Sequence, residues 1–220
     1  APAACRPPSD AWLCSASKRA LEEEPRSSAV ADAFGWRAPL SAATLAKQLR
    51  AFGDAHASVR GEAAGRALAA AVPRVYAALT SMLGTEAFEE AARDVLEGSR
   101  SAGSDARAGD EASGNRVVWV GVGFAKAREV AFHGALHLTP YLHVLPADLL
   151  AFKPLLTRLG VRERFEADDY VALLRRLKRD AGTEQPLTAR RLDVALWVLG
   201  SVADARNERE AKRTPSSVTT

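Results

Sequence analysis

Three histidines, His133, His137 and His143, stand close together in a chain with only four. Imidazole nitrogens hold zinc when Cys, Asp, Glu or further His complete a tetrahedral set. No such ligand stands at the required spacing, and the pattern puts the three on a loop and a strand, so they read as loop or edge histidines and no metal is expected. Gly121-Val122-Gly123 suggests a phosphate loop, but neither a third Gly opening a helix nor a Gly-Lys-Ser/Thr follows. Gly121 and Gly123 are therefore expected to serve a turn. Glu166, Asp168 and Asp169 could do acid–base work, but in the first turn of a helix their charge complements the helix dipole instead. Arg175, Arg176, Lys178, Arg179, Arg190 and Arg191 lack the interleaved aromatics of a nucleic-acid site and read as a solvated helix face. No Ser or Cys stands in a nucleophile turn. Cys5 and Cys14 have neither redox nor metal spacing and read as free thiols of a reducing compartment. The residues thus point to a chain with no catalytic set, no cofactor and no nucleic-acid partner, which is expected not to be an enzyme.

The elements that would position these groups are mostly helices. Ser41 caps a segment with Leu45, Leu49 and Phe52 at helical spacing, closed by Gly53. From Glu62 to Leu83 the series Leu68, Val72, Val75, Leu79 and Leu83 keeps one stripe, with a kink expected at Pro73 and a stop at Gly84. Thr85 caps a third helix carrying Phe88, Ala92, Val95 and Leu96, which Gly98 ends. Val117 to Val120 and Glu129 to Phe132 are expected to form a small hairpin, with Tyr141 to Leu145, held between Pro140 and Pro146, as a further extended partner. Pro146 opens a helix with Leu149, Leu150, Phe152, Leu155, Leu156 and Leu159 on its buried face, bent at Pro154 and stopped by Gly160. A helix over Ala167 to Asp180 buries Tyr170, Leu173, Leu174 and Leu177. The last, capped by Thr188, repeats Leu192, Ala195, Leu196, Leu199 and Val202, widened by Trp197 and Val198.

The fold class that follows is mainly α with a small β element: a helical bundle plus a hairpin-and-helices half. Residues 1–28, rich in Pro and Ser, read as a poorly ordered opening segment with a short helix near Ser17 to Glu24; 29–98 as the bundle, with Trp36 turned back onto the core after Gly35. Residues 99–115 contain no large apolar side chain and read as a flexible insertion, 116–205 as the second half, and 206–220 as a disordered tail. A net charge of +3 with charges of both signs describes an ordinary surface. No apolar run reaches the roughly 18 residues needed to span a bilayer, so no membrane partner is expected. A start at Ala1 without an initiator Met reads as a fragment or a processed piece.

The stretch from Arg116 to Val161 carries the most distinctive pattern. Trp119-Val-Gly-Val-Gly-Phe124, Leu138-Thr-Pro140-Tyr141-Leu142, Leu145-Pro146, Leu159-Gly160-Val161 and Asp169-Tyr170 resemble the repeat region of sacsin and sacsin-like proteins. Gly35-Trp36, Gln48-Leu49 and Val72-Pro-Arg-Val-Tyr76 upstream fit it too. Val122 stands where that family usually has Asp, and Ser99 to Asn115 is an insertion. The resemblance implies a cytoplasmic, non-catalytic module of a molecular chaperone or co-chaperone, acting in protein folding and quality control with the seventy-kilodalton heat-shock chaperone. Neighbouring repeat segments, that chaperone or a client would be its protein partners. It would lie downstream of a GHKL-type ATPase lobe, whose Asp-x-Gly-x-Gly motif is absent here, as is the His-Pro-Asp of a J domain. The lever of a split ATPase and a stand-alone protein-interaction domain are the alternatives. Trp119, Phe124, Tyr141 and Pro146 are expected to determine shape, with Gly121, Gly123, Pro140, Leu145, Gly160 and Tyr170 completing the motif.

Overall fold

A computed structural model describes residues 4–93, 115–182 and 187–213. The chain is mainly helical, with one three-stranded and two two-stranded sheets among the described residues. It divides into two compact units: Ala1–Val130 with Leu145–Arg162, and Ala131–Val144 with Glu163–Thr220. This differs from the expected break at residues 99–115, because the hairpin and the Pro146 helix pack with the bundle. The expected insertion lies outside the described residues except Asn115, as do Val95, Leu96 and Gly98.

In the first unit, helix α3 (Ala42–Ala55) begins as expected at Ser41, whose hydroxyl accepts from Thr44 N at 3.3 Å. It runs on through Gly53. A Cβ there would lie 1.6 Å from the Arg116 carbonyl oxygen, so this glycine lets a strand approach the helix rather than ending it. Helix α4 (Glu62–Thr80) continues across Pro73 and buries Leu68, Val72, Val75, Tyr76 and Leu79. Thr85 caps α5 (Glu86–Ala91), which buries Phe88.

The opening segment is more structured than its composition suggests. Strands β1 (Cys5–Arg6) and β2 (Arg19–Ala20) pair in parallel, α1 (Ala11–Cys14) lies between them, and no helix forms near Ser17 to Glu24. Two buried polar side chains tie it down. Arg6 donates to the carbonyls of Trp36 at 2.6 Å and Ala38 at 2.9 Å, and the Gln48 amide oxygen accepts from Ala16 N at 2.6 Å. Helix α2 (Ser28–Ala33) ends near Gly35, and Trp36 is only half-buried, 5.0 Å from the exposed ring of Phe34.

The hairpin is β3 (Arg116–Trp119) with β4 (Phe124–Lys126), antiparallel, pairing Trp119 with Phe124. Glu129 to Phe132, expected as the partner of β3, falls instead at the end of a 3-10 turn (Ala127–Glu129) and in β5 (Val130–His133). That strand is central in a sheet with β6 (His143–Val144) and β7 (Arg162–Arg164). The two glycines reverse the chain too soon for β3 to reach it. The helix expected from Pro146 is a 3-10 segment, Ala147–Phe152, followed by α6 (Lys153–Arg158), which turns Leu150 outward while Leu149, Leu155 and Leu156 stay buried.

The second unit centres on α7 (Ala167–Ala181) and α8 (Ala189–Arg213), whose last turns extend past the expected end of order at residue 205. Leu138, Tyr141, Leu142, Phe165, Leu173 and Leu177 form its core with Val194, Ala195 and Val198.

Candidate interaction surface

The motif residues divide between the two units. In the first, Trp119 and Phe124 face each other at 5.2 Å between ring centroids and are buried. Gly121 (φ +88°) and Gly123 (φ +159°) form the turn between them. A Cβ on Gly123 would meet the Ala57 carbonyl oxygen at 2.4 Å, because the turn lies on the chain leaving α3. Two backbone bonds fasten it: Phe124 N to His56 O at 3.1 Å, and Val59 N to Val122 O at 3.0 Å. Leu145 is buried, Pro146 lies beside Gly121, and Gly160 takes φ +97°. Behind the hairpin the Tyr76 hydroxyl donates to Val117 O at 2.9 Å and accepts from Trp119 N at 3.0 Å. Burial raises the pKa of this phenol, so it stays a neutral donor and acceptor.

In the second unit Pro140 follows a cis peptide bond, Tyr141 is buried beneath the Arg176 guanidinium at 5.6 Å, and Tyr170 is half-buried. Burial, with the Asp169 carboxylate adding, raises the Tyr170 pKa. Trp119, Phe124, Leu145 and Tyr141 are thus core side chains of their units, while Pro140 is exposed.

Several of the polar candidates have contacts within the second unit. His133 Nε2 lies 3.4 Å from Glu163 Oε1 with both exposed, His137 packs on Trp197, and His143 is half-buried. Among the described residues no group of three or more His, Cys, Asp or Glu is placed to hold a metal ion. Asp169 accepts from Glu166 N at 2.9 Å and so fixes the start of α7. Of the basic residues, Arg190 donates to Thr139 O at 3.2 Å and Arg176 covers Tyr141, while Arg175, Lys178 and Arg179 are exposed on α7.

The surface that stands out was not expected from the sequence. Leu192, Leu196 and Leu199, read as the buried stripe of the last helix, are 46%, 58% and 53% exposed. Of the residues read with them, Ala195 and Val198 do turn inward, together with Val194. Helix α8 is apolar nearly all round from Val194 to Val202, so periodicity alone does not select a face. The smaller side chains fit closely against α7, and the leucines are left outside. With Ala189, Gly200 and Ala203, all exposed, they make a strip of uncharged residues along about four turns of helix, bordered by the exposed Asp193. The mid-helix glycine is the signal that could have marked this face. A Cβ at Gly200 would meet nothing within 4 Å, so nothing among the described residues requires a glycine there, although glycine costs about 1 kcal/mol relative to alanine. No helix among the described residues is long and apolar enough to cross a membrane.

No protein-family model, curated protein or solved structure matches this chain.

Proposed function

We propose that the chain is a non-catalytic protein-interaction module whose second unit binds apolar segments of other proteins along α8. The observation that carries this reading is the exposed, uncharged strip of Leu192, Leu196 and Leu199. Exposed apolar patches often mark sites where other proteins bind, and burying a leucine stabilises a complex by about 1.5–3 kcal/mol. The residue pattern that resembles sacsin-like repeats supports the more particular proposal of a chaperone or co-chaperone module, working in the cytoplasm beside the seventy-kilodalton heat-shock chaperone.

The test is suppression of aggregation. Chemically unfolded luciferase is diluted into buffer with increasing amounts of the chain, and light scattering is followed. The expected result is a dose-dependent reduction that Leu196→Asp with Leu199→Asp abolishes, while far-UV circular dichroism and the melting temperature stay unchanged because both positions are exposed. Scattering unaffected by the chain, or suppression equal in the double variant, would refute the role of this face.

A further inference from the structure

Three aromatic rings from three separate elements meet on the second unit. Tyr170 comes from the first turn of α7, Trp197 from the middle of α8, and His137 from the 3-10 turn Leu136–Leu138. Trp197 is in contact with both others. Its ring centroid lies 5.7 Å from that of Tyr170 and 4.7 Å from that of His137, with interplanar angles of 80° and 83°.

Edge-to-face pairs of this kind usually fill a core. Here Trp197 is 38% exposed, His137 is exposed and Tyr170 is half-buried, so the rings form a corner open to water. Asp193, also exposed, stands one turn before Trp197 on α8. Residues four apart on a helix are neighbours, so a carboxylate borders the indole.

Aromatic rings meeting near right angles beside a carboxylate suit one ligand chemistry. A methylated ammonium carries a positive charge spread over methyl groups, sheds water more easily than a bare ammonium, and is attracted to the negative faces of several rings together. We propose that His137, Tyr170, Trp197 and Asp193 bind a methylated ammonium group, supplied by a trimethyllysine side chain of a partner protein. Choline headgroups share the cation, and the titration below separates the two sources. Trp197 lies about 100° around the helix from Leu196 and Asp193 about 60° from it, so the corner and the leucine strip adjoin along Asp193 and are told apart by separate variants.

The full chain is titrated with N-acetyl-trimethyllysine amide while the indole N–H of Trp197 and the ring protons of His137 are followed by NMR, with Trp197→Phe fixing the assignment. Saturable shifts at both rings are expected. Trp197→Leu should weaken binding by about tenfold or more, and Trp197→Phe, which keeps a ring face, by less. Asp193→Asn, at an exposed position that leaves the fold intact, should weaken it severalfold. The uncharged isostere with carbon in place of nitrogen should produce no saturable shift, and phosphocholine should bind more weakly than the lysine derivative. Absence of saturable shifts in the folded chain, or equal binding of the isostere, would overturn the proposal and leave the rings as a cover on the core. Phosphocholine binding as tightly or more tightly would overturn the assignment to trimethyllysine.

Discussion

Replacing Tyr76 by Phe removes one oxygen from the centre of the first unit and tests how the hairpin is held to the bundle. The hydroxyl joins Val117 O at 2.9 Å to Trp119 N at 3.0 Å. Alternate residues of a strand direct their backbone groups to the same side, so Tyr76 does for β3 what a neighbouring strand would do. Without it a buried carbonyl and a buried N–H both lose their partner, at about 1–3 kcal/mol each. Relief of the hydroxyl's own desolvation offsets part of this, leaving a net loss of about 3 kcal/mol. For a chain of this size that lowers the melting temperature by roughly 6–12 °C. Thermal melts of the two proteins check the magnitude, and amide exchange checks the location, since protection should fall most at Trp119.

Ionisation tests the same contact. The folded pKa of Tyr76 is raised by burial above the ordinary phenol value, so the unfolded chain releases this proton first. The stabilisation is therefore complete below about pH 10 and is lost as pH rises beyond it. In Tyr76→Phe that part of the alkaline loss should disappear. A melting temperature within 2 °C of the parent, with Trp119 protection unchanged, would refute the reasoning; the roughly 6–12 °C scale is what that margin is set against.

Gly53→Ala should cost more than any surface change, because its methyl would fall 1.6 Å from the Arg116 carbonyl oxygen and neither backbone can yield freely. A loss of about 3 kcal/mol or more is expected in urea unfolding, whereas Gly200→Ala, in open space, should stabilise by about 1 kcal/mol. The thiols should separate under native alkylation followed by mass spectrometry: Cys5 is partly accessible, while Cys14 is buried and its pKa is raised, first by desolvation and then by the Asp10 charge. Modification of Cys14 at the rate of Cys5 in the folded chain would contradict the packing of α1.

Helix positions and caps were legible because they depend on local rules. Ser41 and Thr85 accept the N–H groups their positions imply, and Leu45, Leu49, Leu68, Val72, Val75 and Leu79 are buried as their spacing predicts. What was not legible depends on contacts distant in sequence. Gly53 reads as a stop until Arg116, far along the chain, is placed against it. Arg6 reads as part of a loose start until the carbonyls of Trp36 and Ala38 reach it. Val130 to Phe132 has the composition of a strand, but its partners are fixed by the tight turn at Gly121 and Gly123, not by its own residues. On α8 the apolar positions were correctly read as apolar. Which of them face outward is decided by the shape of α7, so the periodicity alone does not mark the candidate surface and Gly200 is the one local signal for it.

The division of the chain also sets an order of events during synthesis. When Val130 has been made, the first unit still lacks the segment from Leu145 to Arg162, including Phe152, whose ring stands 5.6 Å from that of Tyr76, and the buried Leu149, Leu155 and Leu156. Residues 131–144, made in between, belong to the second unit and must wait for α7 and α8. Each unit thus holds part of its core open while the ribosome works on the other, and a nascent chain arrested between residues 130 and 162 contains neither unit whole.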